Sequence, residues 1–453
     1  MVPMVNINEI TITELQDMLR KKTISVKELV QEYISRIKQI DAGDNGLNSV
    51  LEVNPEALEI AEGLDRRGNE NDLLLYGVPI LIKDNIDTAD QMHTSAGSLA
   101  LAGSYASTDA ELVKALRSKG AIILGKTNMT EFANYTTQNM PNGYSSRGGQ
   151  VKNPYNKEKD PSGSSSGSGV AVAANLCAAS IGSDTCNSIV APGLTNGVVG
   201  LRPTTGVISQ KGIIPISFTL DTAGPFTRSV ADAAIMYSGL TGNALIKGTT
   251  EGLKGMTIGY NEWVHEDLPK EAITKTEAAI KELERAGATI KRIVIPKTKN
   301  IMDLMKYEFK YALNQYLKTL PESYPIRSLK DVIEFNKQNP EKAIKYGQTY
   351  LLDAEDNTSG TMSEDVYKKI LKDRVESMIK IREQIRDFDL CIMLSYNNIL
   401  QYTELPVLTI PCGLYEDGMP YGMQLTSSTD ATLLGHAYAV EQAIGHRVEP
   451  QIR

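Results

Sequence analysis

Apolar positions along this chain recur with two different periods, and the switches between them mark out helices and strands. Near the start, Leu29, Tyr33, Ile37 and Ile40 fall on one helical face. Thr13-Glu14-Leu15-Gln16 and Ser25-Val26-Lys27-Glu28 have capping-box spacing. Residues 5–75 therefore read as an N-terminal helical region. Thr108-Asp109-Ala110-Glu111 opens a further helix that ends at Gly120 and hands over to Ala121-Ile122-Ile123-Leu124. Ile273, Ile280 and Leu283 stripe another, closed by Gly287 before the run from Ala288 to Ile295. Glycine supplies the left-handed turn at each of these helix ends. Val78 to Ile82 and Ala178 to Gly182 are short apolar runs of buried-strand length. Helices alternating with strands predict an α/β fold, with helices layered over a sheet.

Residues 300–387 break that rhythm. They are rich in Lys, Glu, Tyr and Asn and keep helical periodicity with few strand signals. Tyr307, Phe309, Tyr311, Tyr316, Tyr346 and Tyr350 stand out there. Such aromatics either line a pocket or pack helices onto a core, and packing is their ordinary use.

Composition narrows the function class. A chain of 453 residues can bury a large core. No proline-rich or charged linker divides it, so residues 1–453 read as one domain. The net charge of −8, with Lys and Arg dispersed, argues against nucleic acid as a partner. Nothing in the sequence approaches a membrane span. Cys177, Cys186, Cys391 and Cys412 lack CxxC spacing, which predicts free thiols and a reducing, cytoplasmic compartment.

Three segments carry candidate chemistry. Lys83 follows the apolar run Val78 to Ile82. A lysine buried at a strand end loses hydration, which lowers its pKa and makes the neutral amine available as a base. The alternative is a snorkelling side chain with its head in water. Ser162-Gly163-Ser164-Ser165-Ser166-Gly167-Ser168-Gly169 runs directly into the small-residue segment Val170 to Leu176, which suits a buried helix. It reads as a flexible linker, as an oxyanion cradle, or as a Gly-x-Ser-x-Gly elbow at Gly163, Ser165 and Gly167. The elbow requires a preceding strand, which Lys157-Glu158-Lys159-Asp160-Pro161 cannot form, and a catalytic histidine. His93, His265, His436 and His446 sit in no recognisable motif. Finally, Gly182-Ser183-Asp184-Thr185-Cys186-Asn187-Ser188 is either a polar turn or a set of backbone N–H groups converging before a nucleophile.

These segments together resemble the amidase signature family, whose hydrolases cleave carboxamides with a Ser–cis-Ser–Lys triad. The resemblance implies Lys83 as base, Ser164 as the bridging serine behind a cis peptide bond, and Ser188 as nucleophile. The family spaces its two serines twenty-four residues apart, and Ser164 and Ser188 keep that spacing. Backbone N–H groups of Thr185, Cys186, Asn187 and Ser188 would hold the oxyanion, with Gly163, Ser165 and Asp184 supporting the loops. Further family-like stretches are Gly120 to Met129, Asn196 to Thr204, Asp221 to Pro225 and Leu405 to Pro411. Ser145-Ser146-Arg147-Gly148-Gly149-Gln150 is most similar to the peptide amidase branch, whose members hydrolyse C-terminal peptide amides and simpler carboxamides.

The resemblance further implies a mixed β-sheet core covered by helices on both faces. Residues 76–245 would form the signature core, and residues 300–387 a helical cap over the active-site mouth. The resemblance implies no metal or organic cofactor, and the expected partner is a small-molecule or peptide amide substrate. Two other roles share the scaffold: an amidotransferase catalytic subunit supplying ammonia to a partner, and a catalytically silent binding protein. The family also has exported members, so a mature exported form is the alternative to a cytoplasmic one. Where the family commonly has Gly-Gly or Asp-Gly before the nucleophile, this chain has Cys186-Asn187. Asparagine tolerates the positive φ that glycine provides there, so that conformation is expected to persist.

Overall fold

A computed structural model describes residues 6–248, 252–262, 268–298, 300–394 and 398–452. His265 lies outside the described residues. Among the described residues, eleven strands form one mixed sheet, in the spatial order Val50–Val53, Ile122–Thr127, Pro79–Lys83, Ala179–Asp184, Thr222–Thr227, Val199–Arg202, Val407–Leu414, Pro420–Thr426, Leu390–Met393, Thr257–Asn261 and Thr289–Ile293. Pairing is antiparallel through the middle. Pro79–Lys83 runs parallel to both of its neighbours, and Thr257–Asn261 to both of its own.

The apolar runs become strands because both faces of the sheet are covered. Helix Ser166–Ala173 packs on Pro79–Lys83 and Ala179–Asp184, Val230–Thr241 on Thr222–Thr227, and Asp430–Ile444 on Val407–Leu414. Every residue of Pro79–Lys83 and Ala179–Asp184 is buried. Such central strands read as continuous apolar stretches rather than as alternations. Gly120 and Gly287 end their helices at φ of 89° and 104°, the left-handed turns expected of them.

Sequence and structure part at several ends. The first helix, Ile12–Arg20, is capped two residues earlier than its pattern suggests. Thr11 accepts from the Glu14 N–H, and the Glu14 carboxylate accepts from the Thr11 N–H. The second box forms as expected between Ser25 and Glu28. Helix Glu111–Ser118 has no side-chain cap, because Asp109 instead accepts from the Ala89 N–H at 2.7 Å. Within residues 5–75, the segment Val50–Val53 is a strand paired antiparallel with Ile122–Thr127.

Residues 300–387 are helical, with Ile301–Leu317, Leu329–Gln338, Thr349–Asp356 and Asp365–Ile385 as the main elements. Their aromatics mostly hold this region together and tie it down. Phe309 is fully buried against Tyr135 and Phe132, and Tyr350 stacks on Tyr135 with ring centres 5.4 Å apart. Tyr316 donates to Asp87 Oδ1 at 2.7 Å. One apolar cluster unites these helices with Met129, Phe132, Val190, Ile214 and Ile216 of the preceding core, and Cys186 packs against its edge. All four cysteines are free thiols. Among the described residues, no helix is long and apolar enough to cross a membrane.

Candidate active site

Pro79–Lys83 and Ala179–Asp184 are adjacent parallel strands in a register that pairs Ile82 with Ile181. Both run in the same direction, so Lys83 and the loop after Asp184 emerge at one edge of the sheet. The carboxyl ends of parallel strands are where α/β sheets usually place their chemistry.

Lys83 is fully buried, and its head group does not reach water. Its Nζ lies 2.8 Å from Ser164 Oγ, 2.9 Å from Ser183 Oγ and 3.2 Å from the Ser183 carbonyl. Burial pushes its pKa down to about 7, against the pull of the Asp184 and Asp221 carboxylates. The three contacts suit both protonation states. The ammonium donates to all three oxygens. The neutral amine keeps two N–H donors for Ser183 and turns its lone pair to the Ser164 hydroxyl.

The Gly163–Ser164 peptide bond is cis. It opens helix Ser166–Ala173, which starts inside the Gly/Ser run and is buried throughout. A Cβ on Gly163 would sit 2.6 Å from Thr130 Oγ1, which accepts from the Gly143 N–H, so any larger residue would have to displace that side chain. The Thr130 N–H donates to the Ser164 carbonyl at 3.1 Å. These contacts leave no role for a loose linker. The elbow reading fails as well. No strand precedes Gly163, and Ser165 Oγ donates to the Ser183 carbonyl at 3.0 Å. Among the described residues, no histidine bonds Ser165 or Ser188.

The second loop is fastened from below by Asp184. One carboxylate oxygen accepts from the Asn187 N–H at 3.1 Å and the other from the Ile189 N–H at 2.7 Å. Arg202, wholly buried like Asp184, approaches that carboxylate at 3.2 Å. Thr185 donates its hydroxyl to Asp221 at 2.6 Å. Burial raises the Asp221 pKa to about 7, opposed by hydrogen bonds from Thr185 and the Ile216 and Ser217 amides. Asn187 adopts φ of 70°, the left-handed conformation expected of it. The Cys186 thiol is pushed up to about 12 by burial and by Asp184, which keeps it neutral.

The structure joins Lys83 to Ser164 directly. It brings Ser188 alongside through the Ser165 N–H, which donates to the Ser188 carbonyl at 3.3 Å. No hydrogen bond links the Ser164 and Ser188 hydroxyls among the described residues. Of the amides expected to hold an oxyanion, Asn187 is engaged by Asp184. Those of Thr185, Cys186 and Ser188 have no acceptor among the described residues. Ser183, Asn85, Asp221, Arg202, Asn398 and Gln401 complete the surroundings, and the sequence reading assigned none of them a role. Asn85 donates to Ser183 Oγ at 2.9 Å, fixing the hydroxyl that Lys83 meets. A polar residue two places beyond Lys83 was the available signal for it.

The chain is 35% identical to a probable amidase of Arabidopsis thaliana, covering 98% of this chain and 92% of the relative. An amidase family protein from Bacillus anthracis superposes with a TM-score of 0.92 at 35% identity, over 98% of this chain and 93% of that one. The native peptide amidase from Stenotrophomonas maltophilia superposes with a TM-score of 0.88 at 35% identity, over 98% and 99% of the two chains. Residues 28–395 match the family described as Amidase. With the sheet, the cis peptide bond and the buried lysine already in place, the conclusion is that the chain belongs to the amidase family.

Proposed function

We propose that this amidase hydrolyses neutral, apolar or peptidyl carboxamides through Ser188, Ser164 and Lys83. The observation that carries the proposal is the 2.8 Å contact between a fully buried Lys83 amine and the Ser164 hydroxyl, immediately after the cis peptide bond. Neutral Lys83 takes the proton of Ser164, and Ser164 takes that of Ser188 as its Oγ bonds the carboxamide carbon. The free amides of Thr185, Cys186 and Ser188 stabilise the negative charge that develops on the carbonyl oxygen. The relay then returns a proton to nitrogen, the C–N bond breaks, and ammonia or an amine departs. Water attacks the acyl-enzyme by the same path and releases the carboxylate. The open link between the Ser164 and Ser188 hydroxyls closes when substrate arrives, as catalytic hydrogen bonds often do.

The preference for neutral acyl groups follows from what comes after the nucleophile. Ile189, Val190, Ala191 and Pro192 are apolar and buried. A carboxylate next to the reacting carbon would lack the paired contact that a buried charge requires. The likeness to a peptide amidase supports amidated peptides as one such class. Residues 300–387 are read as the cap over the site mouth, because their aromatics share one apolar cluster with Val190 and Ile216.

The test is a panel of amides assayed with the purified chain alone. It holds C-terminally amidated peptides, short aliphatic amides and a small dicarboxylic monoamide. Ammonia release from the first two and little from the third is expected. Efficient turnover of the monoamide would contradict the acyl preference. Turnover only after adding a partner chain would point to an amidotransferase subunit, and none under any condition to a silent scaffold.

A further inference from the structure

Asn187 holds the left-handed φ of 70° immediately before the nucleophile, and every polar group it has is engaged. Its N–H donates to Asp184 Oδ1 at 3.1 Å, and its carbonyl accepts from the Ala191 N–H at 2.8 Å. Its side chain is gripped on both sides. Gln401 Nε2 donates to Asn187 Oδ1 at 2.8 Å, and Asn187 Nδ2 donates to Asn398 Oδ1. Gln401 lies on the short helix Ile399–Tyr402, more than two hundred positions away in sequence from the loop it holds.

Gln401 is an odd residue to bury for stability. It is wholly inaccessible, the bond to Asn187 is the one its side-chain amide makes among the described residues, and its Oε1 has no partner. A buried acceptor left unpaired costs free energy. What Gln401 does accomplish is local. Rotation about the φ of Asn187 would swing its side chain, so a clamped side chain holds the left-handed φ, and from there the carbonyl bond to the Ala191 N–H sets the peptide plane that bears the Ser188 N–H. Glycine reaches the left-handed region freely, whereas asparagine reaches it less readily and offers an amide by which it can be held.

We infer that Gln401 is a positioning residue for acyl transfer: by clamping the Asn187 side chain, with Asn398 opposite, it fixes the aim of the Ser188 N–H and hydroxyl. The inference rests on Ser188 being the nucleophile. It makes Gln401 necessary only while asparagine occupies position 187.

A double-mutant cycle tests this. Gln401→Leu keeps the side-chain size and removes the grip. It is expected to lower kcat by about ten- to hundredfold with KM changed less than about twofold, because misaimed groups lose transition-state contacts rather than ground-state binding. In an Asn187→Gly background, the same Leu substitution is expected to cost less than about twofold in kcat. Equal losses in both backgrounds would assign Gln401 a merely structural role and overturn the inference. So would no loss in the presence of Asn187, or an Asn187→Gly protein without turnover. Should Gln401→Leu not fold, Asn398→Ala runs the same cycle from the other side, with the same disappearance expected in the glycine background. Fluorophosphonate labelling of wild-type Ser188 separates the two levels. No labelling removes the nucleophile assignment and this inference with it, whereas labelling together with equal losses removes the inference alone.

Discussion

Lys83 Nζ and Ser164 Oγ stand 2.8 Å apart in a wholly buried setting, and among the described residues no carboxylate lies within ion-pair distance of that lysine. The two acidic groups that do act on it, Asp184 and Asp221, are committed elsewhere. Asp184 takes Arg202 and two loop amides, and Asp221 takes Thr185 and the Ile216 and Ser217 amides. A lysine so placed gives up its proton far more easily than one in water.

Activity should therefore climb with pH. The Lys83 pKa lies at about 7, and only the neutral amine accepts a proton. Below that pH, kcat/KM should rise about tenfold per pH unit and level off above it. A profile measured on a neutral amide from pH 5 to 9 checks this. A flat curve from pH 6 to 9 would speak against lysine as the base.

The same burial sets a stability prediction of defined sign. The folded pKa of Lys83 is lowered, so the folded state pays to hold the charged form. That cost is fully present below about pH 7 and fades as pH rises toward the unfolded value near 10.5. Lys83→Met should abolish turnover yet unfold at higher denaturant than wild type at pH 6, by on the order of a few kcal/mol. The gap should narrow as pH rises to 9 and above. Urea unfolding at both values decides it, and a gap that widened with pH would contradict the assignment.

Arg202 and Asp184 form a buried pair of the costly kind. Neither side chain is exposed, and Arg202 also donates to the Leu405 and Leu220 carbonyls. Arg202→Met should lower stability by about 3–5 kcal/mol, because Asp184 is left charged and unpaired. Activity should fall too, since Asp184 carries the Asn187 and Ile189 amides. Lys159→Met is the control: its bridge to Asp417 is half exposed on both sides and should matter by about 1 kcal/mol or less. Denaturant midpoints of the two variants compare them directly.

What could be read ahead of the structure was local or repeated. The strand before Lys83, the positive φ of Asn187 and the glycine helix ends depend on neighbouring residues, and all appear as expected. Helix starts were less legible. At Thr11 and Thr13 two threonines compete for one cap, and Thr11 wins by pairing with Glu14 three residues on. Val50–Val53 has too few residues to declare itself a strand and becomes one by pairing with Ile122–Thr127. The groups around the site were hidden for a different reason. Ser183, Asp221 and Gln401 act through partners 100, 36 and 214 positions away, which no window along the chain can show.

Covalent labelling tests the Ser188–Ser164–Lys83 assignment most directly. Purified protein treated with a fluorophosphonate should take up one equivalent, mapped by peptide mass spectrometry to Ser188. Lys83→Ala should slow that labelling by orders of magnitude, because members of a relay act as a unit. Adduct on another serine, or a rate unchanged by Lys83→Ala, would contradict the account.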